Sequence, residues 1–420
     1  MLHASLGCDR PLWLRLCRSV NLCGLRASVF DCSPFDQGRR QAIIVKTRTQ
    51  RERMHNAQFL DKYCRGRQSR LLEVMNKQNL DAVLVNQREN VQWLTGCYFP
   101  YIFHPVALLR ADGQLTLVAP NQAPASGCFD EVATYEAQWH ATLRNDQPLA
   151  VSEALKKTLS CTFERLGVEF SSSPHYYSTI ANERVDVEAE MFRLRRQKFP
   201  DEIAHIEIAV SGTERMYERA REIIEPGVSE IRVFNELQAA AVEQFGEMLT
   251  GTGNDYQCGS PGGKPRHGRL AEAGELYILD LGPGYRGYFA DNCRTIAVTD
   301  VSDEQQAAWD CVMKVFDHVE QAVRPGKNAK ELFEEADAIL SEAPIGKFIH
   351  HLGHGIGLFP HEAPHLNPNW DDTFQVDEVF TVEPGLYADE LRGGMRIENN
   401  YVVEEDGIRK LTNFTCALKV

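Results

Sequence analysis

The order of apolar and polar positions predicts a helix and several strands in the first third of the chain. Residues 68–78 carry an apolar face at helical spacing, and residues 80–85 form a short apolar run typical of a buried strand. Two further apolar runs, 106–109 and 115–118, flank a Gly-containing turn and predict a hairpin. We therefore expect an α/β segment that ends near residue 190.

Helix signals are stronger further along the chain. Apolar residues at helical spacing predict an amphipathic helix that begins at Pro200, and Ser229 is the expected N-cap of the next helix. Ser302 and Gln305 predict a capping box at the start of a long helix, and a shorter helix is expected over residues 329–340. The residues with distinctive chemistry lie on strand-like runs between and after these helices.

The composition is that of a globular protein. The chain has 420 residues, of which 43% are hydrophobic and 25% charged, so it is neither disordered nor fibrous, and its length predicts two or three domains. A net charge of −14 argues against a nucleic-acid partner, and the absence of a long apolar run argues against a membrane span. Twelve cysteines without a C-x-x-C pair favour reduced thiols in a cytoplasmic protein.

The first residues differ from the rest. Residues 1–50 contain eight Lys and Arg against three acids, and arginines interrupt the one apolar stretch that could serve as a secretory signal. We interpret residues 1–54 as a basic extension, either disordered or upstream of a true start at Met54, with an organelle transit peptide as the alternative. We assign this segment no function.

Two aspartates mark the first run with distinctive chemistry. Asp280 ends an apolar run, and Asp291 lies on the run that returns after a turn rich in Pro and Gly. A turn centred near Tyr285–Arg286 would place the two aspartates opposite each other on antiparallel strands, where like charges destabilise a sheet. Divalent cations that prefer oxygen ligands would compensate that repulsion. The alternative is that both aspartates are solvated turn residues.

Histidines are concentrated in the second run. Five of them lie within residues 350–365, and neutral imidazole is a common metal ligand. The stretch from His361 to His365 matches H-E-x-x-H, which binds zinc only when a helix brings both histidines to one face. Prolines recur here every fourth residue and would break such a helix, so we reject that interpretation. The glycines after His354 instead indicate backbone that bends tightly or approaches a ligand closely.

Two further strand-like runs each place a glutamate among apolar residues. Glu383 lies in one and Glu398 in the other, and a buried unpaired carboxylate is costly. Either glutamate alone could be a polar edge position of a strand. Together with the aspartates and the histidine-rich run, they indicate a metal site.

These motifs resemble those of the pita-bread metallopeptidases, which include methionine aminopeptidase, aminopeptidase P and the Xaa-Pro dipeptidases (prolidases). The chain carries D-L-G…G-Y…D-x-x-R-T, G-H-G-I-G-L…H-E-x-P, V-E-P-G-x-Y and R-I-E in the family's order. Residues 67–121 resemble the creatinase/prolidase N-terminal domain, especially at residues 80–85 and 90–96. Because methionine aminopeptidases lack that domain, the Xaa-Pro branch fits better.

The resemblance implies an α/β (α+β) fold with two domains. A pita-bread catalytic domain over residues 195–418 would follow a creatinase/prolidase-type α/β domain over residues 55–190. It also implies a homodimer.

The same resemblance implies a dinuclear metal site. Asp280 would bind one metal, Asp291 and Glu398 would bridge both, and His354 with Glu383 would complete the second. Two divalent ions would be held, with Mn²⁺ expected first and Co²⁺, Fe²⁺ or Zn²⁺ as alternatives.

Catalytic roles are implied in the same way. A hydroxide bridging the two metals would attack the scissile carbonyl, and Glu383 would relay a proton to the leaving nitrogen. His350 and His361 match family histidines that contact the substrate and the developing gem-diolate, with support of the metal ligands as the alternative role. Arg396 would orient a ligand carboxylate rather than bind substrate.

Two positions depart from the family pattern. The family places a substrate-binding His about seventeen residues before the first Asp, whereas this chain has residues 262–265 (GGKP) there and its nearest imidazole at His267. Several prolidases also place Arg where this chain has His365, and a neutral imidazole is a poorer carboxylate clamp than a bidentate Arg.

We therefore predict a dinuclear-metal hydrolase that cleaves Xaa-Pro peptide bonds, as either a dipeptidase or an aminopeptidase. One alternative keeps the metal site but applies it to a non-peptide small molecule, in a creatinase-like or lyase reaction. Another is a non-catalytic binding protein that uses the same cleft. The expected partner is a peptide or small-molecule substrate.

Overall fold

The computed structural model describes residue 59 and residues 61–419, so the predicted extension 1–54 lies outside the described residues. The first part of the described chain forms one sheet with helices packed around it. In chain order its elements are α1 (Asp61–Gln78), β1 (Ala82–Val85), α2 (Arg88–Thr95), β2 (Val106–Arg110), β3 (Leu115–Pro120), β4 (Glu131–Tyr135), β5 (Gln138–Trp139), β6 (Thr142–Leu143), α3 (Gln147–Thr158), β7 (Phe163–Val168), β8 (Ala181–Asp186) and α4 (Glu188–Arg196).

Six of these strands form a mixed sheet in the order β4-β3-β2-β1-β7-β8. The predicted hairpin is confirmed, since β2 and β3 pair in antiparallel fashion, while β1 also pairs in parallel with β7. The four residues of β1 are fully buried, as expected for a central strand without polar alternation. The predicted first helix is confirmed but begins earlier, at Asp61.

The second part contains longer helices and several small sheets. Its elements are α5 (Pro200–Ile223), α6 (Glu230–Phe245), β9 (Gly251–Thr252), β10 (Asp255–Cys258), β11 (Leu276–Leu281), β12 (Pro283–Tyr285), β13 (Tyr288–Phe289), β14 (Asn292–Ala297), α7 (Asp303–Ala322), α8 (Ala329–Leu340), β15 (Gly353–Gly355), β16 (Glu362–Leu366), β17 (Val379–Val382), β18 (Gly385–Ala388), β19 (Gly393–Arg396), β20 (Asn399–Glu404) and β21 (Gly407–Lys410).

Local capping determines where the helices begin, as the sequence predicted. The Ser302 hydroxyl accepts from the backbone amide of Gln305, and the Gln305 side chain accepts from the backbone amide of Ser302, at 3.2 and 3.0 Å. This reciprocal pair satisfies two amides that a helix start leaves unpaired. Ser229 likewise caps α6 by accepting from the amide of Arg232, and α8 spans the predicted residues 329–340.

Two helix pairs cover the sheets of this second part. The apolar faces of α5 and α6 pack with β11 and β14, and those of α7 and α8 pack with β17, β19 and β20. Along α7 the buried side chains include Val312, Val315 and Val319, each worth about 1.5–3 kcal/mol when removed from water. Because helices cover the outer faces, polar side chains from both sheets can meet between them.

The strands around that meeting point are joined by buried hydrogen bonds. The amide of Glu398 donates to the carbonyl of Cys293 at 2.9 Å, and the Thr295 hydroxyl donates to the carbonyl of Arg396 at 3.1 Å. These bonds tie β14 to the segment that joins β19 and β20. Within the described part of the chain, no helix combines the length and the apolar composition needed to cross a membrane.

Candidate metal centre

The five side chains predicted as metal ligands converge. Asp280 lies on β11, Asp291 directly precedes β14, His354 is central in β15, Glu383 follows β17 and Glu398 lies between β19 and β20. Donor atoms of Asp291, His354 and Glu398 lie within 4.8 Å of one another, and so do those of Asp280, Glu383 and Glu398. The two groups share Glu398, which is the arrangement that two adjacent cations would need.

The pairing predicted for the two aspartates is wrong by two residues. Asp280 pairs with Cys293 rather than with Asp291, because the turn is centred one residue later, at Arg286–Gly287. Both of these turn residues have positive φ angles, 47° and 86°, as a two-residue type I′ hairpin requires. Since strand side chains alternate with period two, Asp291 still lies on the same face as Asp280, as a diagonal neighbour.

The carboxylates in this centre lack the partners that burial requires. Within the part of the chain that the structure describes, both oxygens of Glu398 and one oxygen of Asp280 are buried without a hydrogen-bond partner. Burial, followed by repulsion from neighbouring carboxylates, raises the pKa of Asp291 and that of Glu398 well above their usual values. Burial also raises the pKa of Asp280, to about 6, although Arg396 opposes the rise. A buried anionic cluster of this kind fits divalent cations, which would supply the missing positive charge.

Arg396 holds one edge of the cluster. Its guanidinium donates to Asp280 Oδ2 at 2.8 Å, to the Tyr387 hydroxyl at 3.0 Å and to Asp255. Asp255 faces Asp280 across the β10–β11 ladder. Arg396 thus holds the carboxylate of Asp280, which the resemblance implies as a metal ligand, whereas the sequence analysis overlooked Asp255 and Tyr387.

His354 is held in the form that binds metal. Its Nδ1 lies 3.0 Å from the carbonyl of Gly355, which fixes the tautomer and leaves Nε2 facing the centre, 3.7 Å from Asp291 Oδ2 and 3.5 Å from Glu383 Oε1. Burial lowers the pKa of His354 to about 3, so the ring is neutral at physiological pH. A neutral, oriented imidazole is the state that a metal ligand requires.

The two histidines expected to act in catalysis lie at different distances from this ring. The imidazole of His361 is exposed and stacks on His354, with ring centroids 3.8 Å apart. The imidazole of His350 packs edge-on against His351, and its Nε2 and the Tyr387 hydroxyl form a 2.8 Å hydrogen bond. Their geometry allows contact with a ligand at the edge of the centre, and their catalytic roles stay a prediction.

His351 is a further side chain at the centre that the sequence analysis missed. Its Nε2 lies 2.8 Å from Glu383 Oε1, and its ring also packs edge-on against His354 and His361. Burial alone would raise the pKa of Glu383, but this hydrogen bond and the neighbouring imidazoles lower it to about 2. The signal was present in the sequence as the second of the five histidines of the run, but the resemblance did not include its position.

The backbone around His354 explains the glycines beside it. A Cβ on Gly355 would lie 2.1 Å from the carbonyl oxygen of Ala363 on the neighbouring strand, so a side chain cannot be accommodated there. The segment Glu362–Leu366 is a strand, which confirms that H-E-x-x-H is not a helical zinc motif here. Close strand pairing therefore brings the two halves of the histidine-rich run together.

The two departures from the family pattern are visible in the structure. His365 Nδ1 is hydrogen-bonded to Asp372 at 2.9 Å, and its ring stacks on Trp370 with centroids 4.6 Å apart. The carboxylate of Asp372 therefore already occupies the Nδ1 side of the His365 imidazole. His267 is exposed, on the loop between β10 and β11.

A buried ion cluster supports the strand that follows His361. Glu362 Oε2 accepts from Lys198 Nζ at 2.9 Å, and its other oxygen pairs with Arg195. These two cations outweigh the effect of burial and lower the pKa of Glu362 to about 2. These ion pairs thereby anchor the end of α4 and the residues that follow it to the strand beside His361.

Comparisons with known proteins agree with this structure. Residues 204–405 match the model described as metallopeptidase family M24, and residues 67–197 match the creatinase/prolidase N-terminal domain. An uncharacterized peptidase of Bacillus subtilis (strain 168) is 28% identical over 366 residues, which cover 82% of this chain and 97% of that relative. An uncharacterized peptidase of Staphylococcus aureus (strain USA300) is 28% identical over 360 residues, 82% of this chain and 98% of the relative.

Two solved structures are similar over most of the chain. The prolidase from Pyrococcus horikoshii OT3 is 26% identical, covers 84% of this chain and 99% of its own, and superposes with a TM-score of 0.71. The prolidase from Pyrococcus furiosus is 25% identical, covers 82% and 99%, and gives a TM-score of 0.68. These matches confirm the predicted architecture of a pita-bread domain preceded by a creatinase/prolidase-type domain.

Proposed function

We propose that this chain, which belongs to metallopeptidase family M24, hydrolyses the peptide bond that precedes proline. The observation that carries the proposal is the buried cluster of carboxylates around His354, in which three oxygens have no hydrogen-bond partner among residues 61–419. Such a cluster is costly in a protein without bound cations, and it has the oxygen-rich composition that Mn²⁺ and similar ions prefer.

The residues that would hold two divalent cations are Asp280, Asp291, His354, Glu383 and Glu398. Divalent cations bound there would acidify a water molecule and polarise the scissile carbonyl. We propose Mn²⁺ as the first metal to test, and we keep a homodimer and a cytoplasmic location as predictions.

The side chains around the centre have separable roles in this proposal. Glu383 Oε1 would accept a proton from the attacking water and deliver it to the leaving nitrogen, since its low pKa keeps it ionised at neutral pH. His361, exposed beside His354, would donate a hydrogen bond to the carbonyl oxygen as negative charge develops. His350, held by Tyr387, would contact the substrate backbone.

The choice of proline-containing peptides rests on similarity to the two prolidases. The residue at the position of the prolidase Arg is His365, whose hydrogen bond to Asp372 puts negative charge beside it. That arrangement is less suited to the free carboxylate of a dipeptide than to a longer chain. We therefore favour Xaa-Pro peptides longer than a dipeptide as substrates.

The test is a peptide-length series with metal analysis. Protein stripped by a chelator and reloaded with Mn²⁺ should cleave Xaa-Pro-Yaa peptides, bind close to two equivalents of metal and lose both properties in Asp291→Asn. Asp389→Asn, an exposed change, is the matched control and should keep both. Loaded protein that leaves every Xaa-Pro dipeptide and longer peptide intact would overturn the proposed substrate, whereas failure to bind metal would overturn the site itself.

A further inference from the structure

Three buried cysteines lie close together in the first domain, away from the metal centre. Cys64 lies on α1, Cys97 follows α2, and Cys128 lies on the loop between β3 and β4. Their exposed fractions are 1%, 5% and 3%, and each carries a free thiol. The backbone holds the segments together, since the amide of Cys128 donates to the carbonyl of Thr95 at 2.8 Å.

The contacts of Cys128 place its sulfur over Cys64. Asp61, Cys64 and Gln68 lie on one stripe of α1, at spacings of three and four residues. The Cys128 thiol is 3.8 Å from the carbonyl oxygen of Asp61 at one end of this stripe and 3.6 Å from Gln68 Nε2 at the other. Gln68 also donates to the carbonyl of Cys128 at 3.1 Å, which fixes the loop against the helix. Each of the two thiols therefore perturbs the pKa of the other.

The charges around the pair make the two sulfurs unequal. The hydrogen bond from Cys64, assisted by Arg65, lowers the pKa of Cys128 to about 7 against the effect of burial. The same hydrogen bond, with burial, raises the pKa of Cys64. Arg67 Nη2 donates to Cys64 Sγ at 2.9 Å and opposes that rise in pKa. A thiolate beside a thiol is the pairing in which one sulfur attacks an oxidant and the other completes a disulfide.

A cavity borders the third cysteine of this group. It has a volume of about 750 Å³, and its lining includes Asp61, Gly96, Cys97 and Gly127. Gly127 directly precedes Cys128, and Asp61 is the residue whose carbonyl the Cys128 thiol contacts. A small oxidant such as hydrogen peroxide that enters this cavity therefore meets Cys97 directly and comes within one residue of Cys128.

We propose that Cys64 and Cys128 are a modification site that peroxide converts to a reversible disulfide. The Cys128 thiolate attacks one peroxide oxygen, the O–O bond breaks, and with one proton the products are a sulfenic acid and water. The Cys64 sulfur then attacks the Cys128 sulfur, the S–OH bond breaks, and the Cys64 proton leaves with the hydroxyl as a second water. The two thiols are oxidised by two electrons and the peroxide is reduced, and a dithiol reductant reverses the change.

The test uses the reduced full-length protein. It is treated with hydrogen peroxide, quenched with catalase, alkylated and digested without reductant for mass spectrometry. We expect one cross-linked peptide pair joining Cys64 to Cys128, lost on treatment with dithiothreitol. In Cys64→Ser, dimedone should instead trap Cys128 as a sulfenic acid, and Cys128→Ser should abolish the cross-link. Cys161→Ser, which removes an exposed thiol outside the group, should leave it unchanged.

Two results would overturn the assignment. In one, wild-type protein keeps Cys64 and Cys128 reduced while the exposed Cys161 is oxidised. In the other, the cross-link joins Cys97 to Cys128. Because both outcomes are read from wild-type protein, the test does not depend on any variant folding.

Discussion

Glu398 provides a direct test of whether the buried centre is built for cations. Both oxygens of its carboxylate are buried without a partner among the described residues, and burial with repulsion from Asp291 raises its pKa well above 4.5. In the absence of metal, the unfolded state therefore ionises before the folded state as pH rises, so this glutamate destabilises the fold at neutral pH. Glu398→Gln keeps the shape of the side chain and removes the charge.

The expected size follows from the two unpaired oxygens. A buried neutral polar group without a partner costs about 1–3 kcal/mol and a charged one costs more, so removal of the charge should raise the free energy of unfolding by about 2 kcal/mol. The raised pKa of Glu398 also fixes how the difference in stability between the two proteins changes with pH. The two proteins should be equally stable below about pH 4, where the glutamate is protonated in both states, and the gap should open as pH rises.

The assay is equilibrium unfolding in urea, with chelator and with Mn²⁺. In chelator the variant should be the more stable protein, whereas Mn²⁺ should stabilise the wild type and have little effect on the variant. Glu405→Gln, on an exposed turn, is the control and should match wild type in both conditions. A variant that is less stable than wild type in chelator at neutral pH would refute the electrostatic reasoning.

Three further predictions concern neighbouring side chains. Glu383→Gln should lower kcat on a proline-containing peptide by about 10²–10⁴-fold while far-ultraviolet circular dichroism stays unchanged, and a smaller loss would argue against a proton-transfer role. His351→Leu should weaken Mn²⁺ binding by about 10–100-fold in a chelator competition, because the imidazole orients Glu383. His318→Leu removes a similar imidazole–carboxylate pair, to Glu335 at 2.9 Å, and should leave the affinity unchanged. The pKa of Glu362 is lowered to about 2 in the folded protein, so Glu362 should stabilise the fold above about pH 4.5 and lose that contribution as pH falls towards 2. At roughly 1.36 kcal/mol per unit of pKa shift, the contribution is about 3 kcal/mol. Glu362→Gln should therefore remove much of the acid dependence in urea titrations, and a pH profile identical to that of wild type would count against the ion cluster.

The features that sequence could predict are those encoded locally. The helix caps at Ser229 and Ser302 need only residues three positions apart. The five side chains predicted as metal ligands do converge, but that set was implied by resemblance to a family rather than by local sequence. The register of Asp280 and Asp291 was wrong because it depends on the position of a turn. Moving the turn centre by one residue shifts a strand pairing by two.

Features that depend on tertiary packing were not predictable in this way. Asp255 becomes a partner of Arg396 only after β10 pairs with β11, and nothing in its own neighbourhood indicates that role. The contact of Cys64 with Cys128 joins a helix to a loop 64 residues away. His351 lies beside His350, which matched the family, and only the folded arrangement shows which of the two imidazoles reaches Glu383.

The pairing of Glu362 with Arg195 and Lys198 bears on how this protein can be dissected or recombined. Arg195 lies on α4 and Lys198 lies on the segment that joins α4 to α5, whereas the carboxylate that they neutralise adjoins His361. A truncation that begins at residue 204, where the match to family M24 begins, would keep that carboxylate and lose its counter-charges. Chimeras that exchange the first domain should therefore retain residues 195–198 with the second, or substitute Glu362 at the same time.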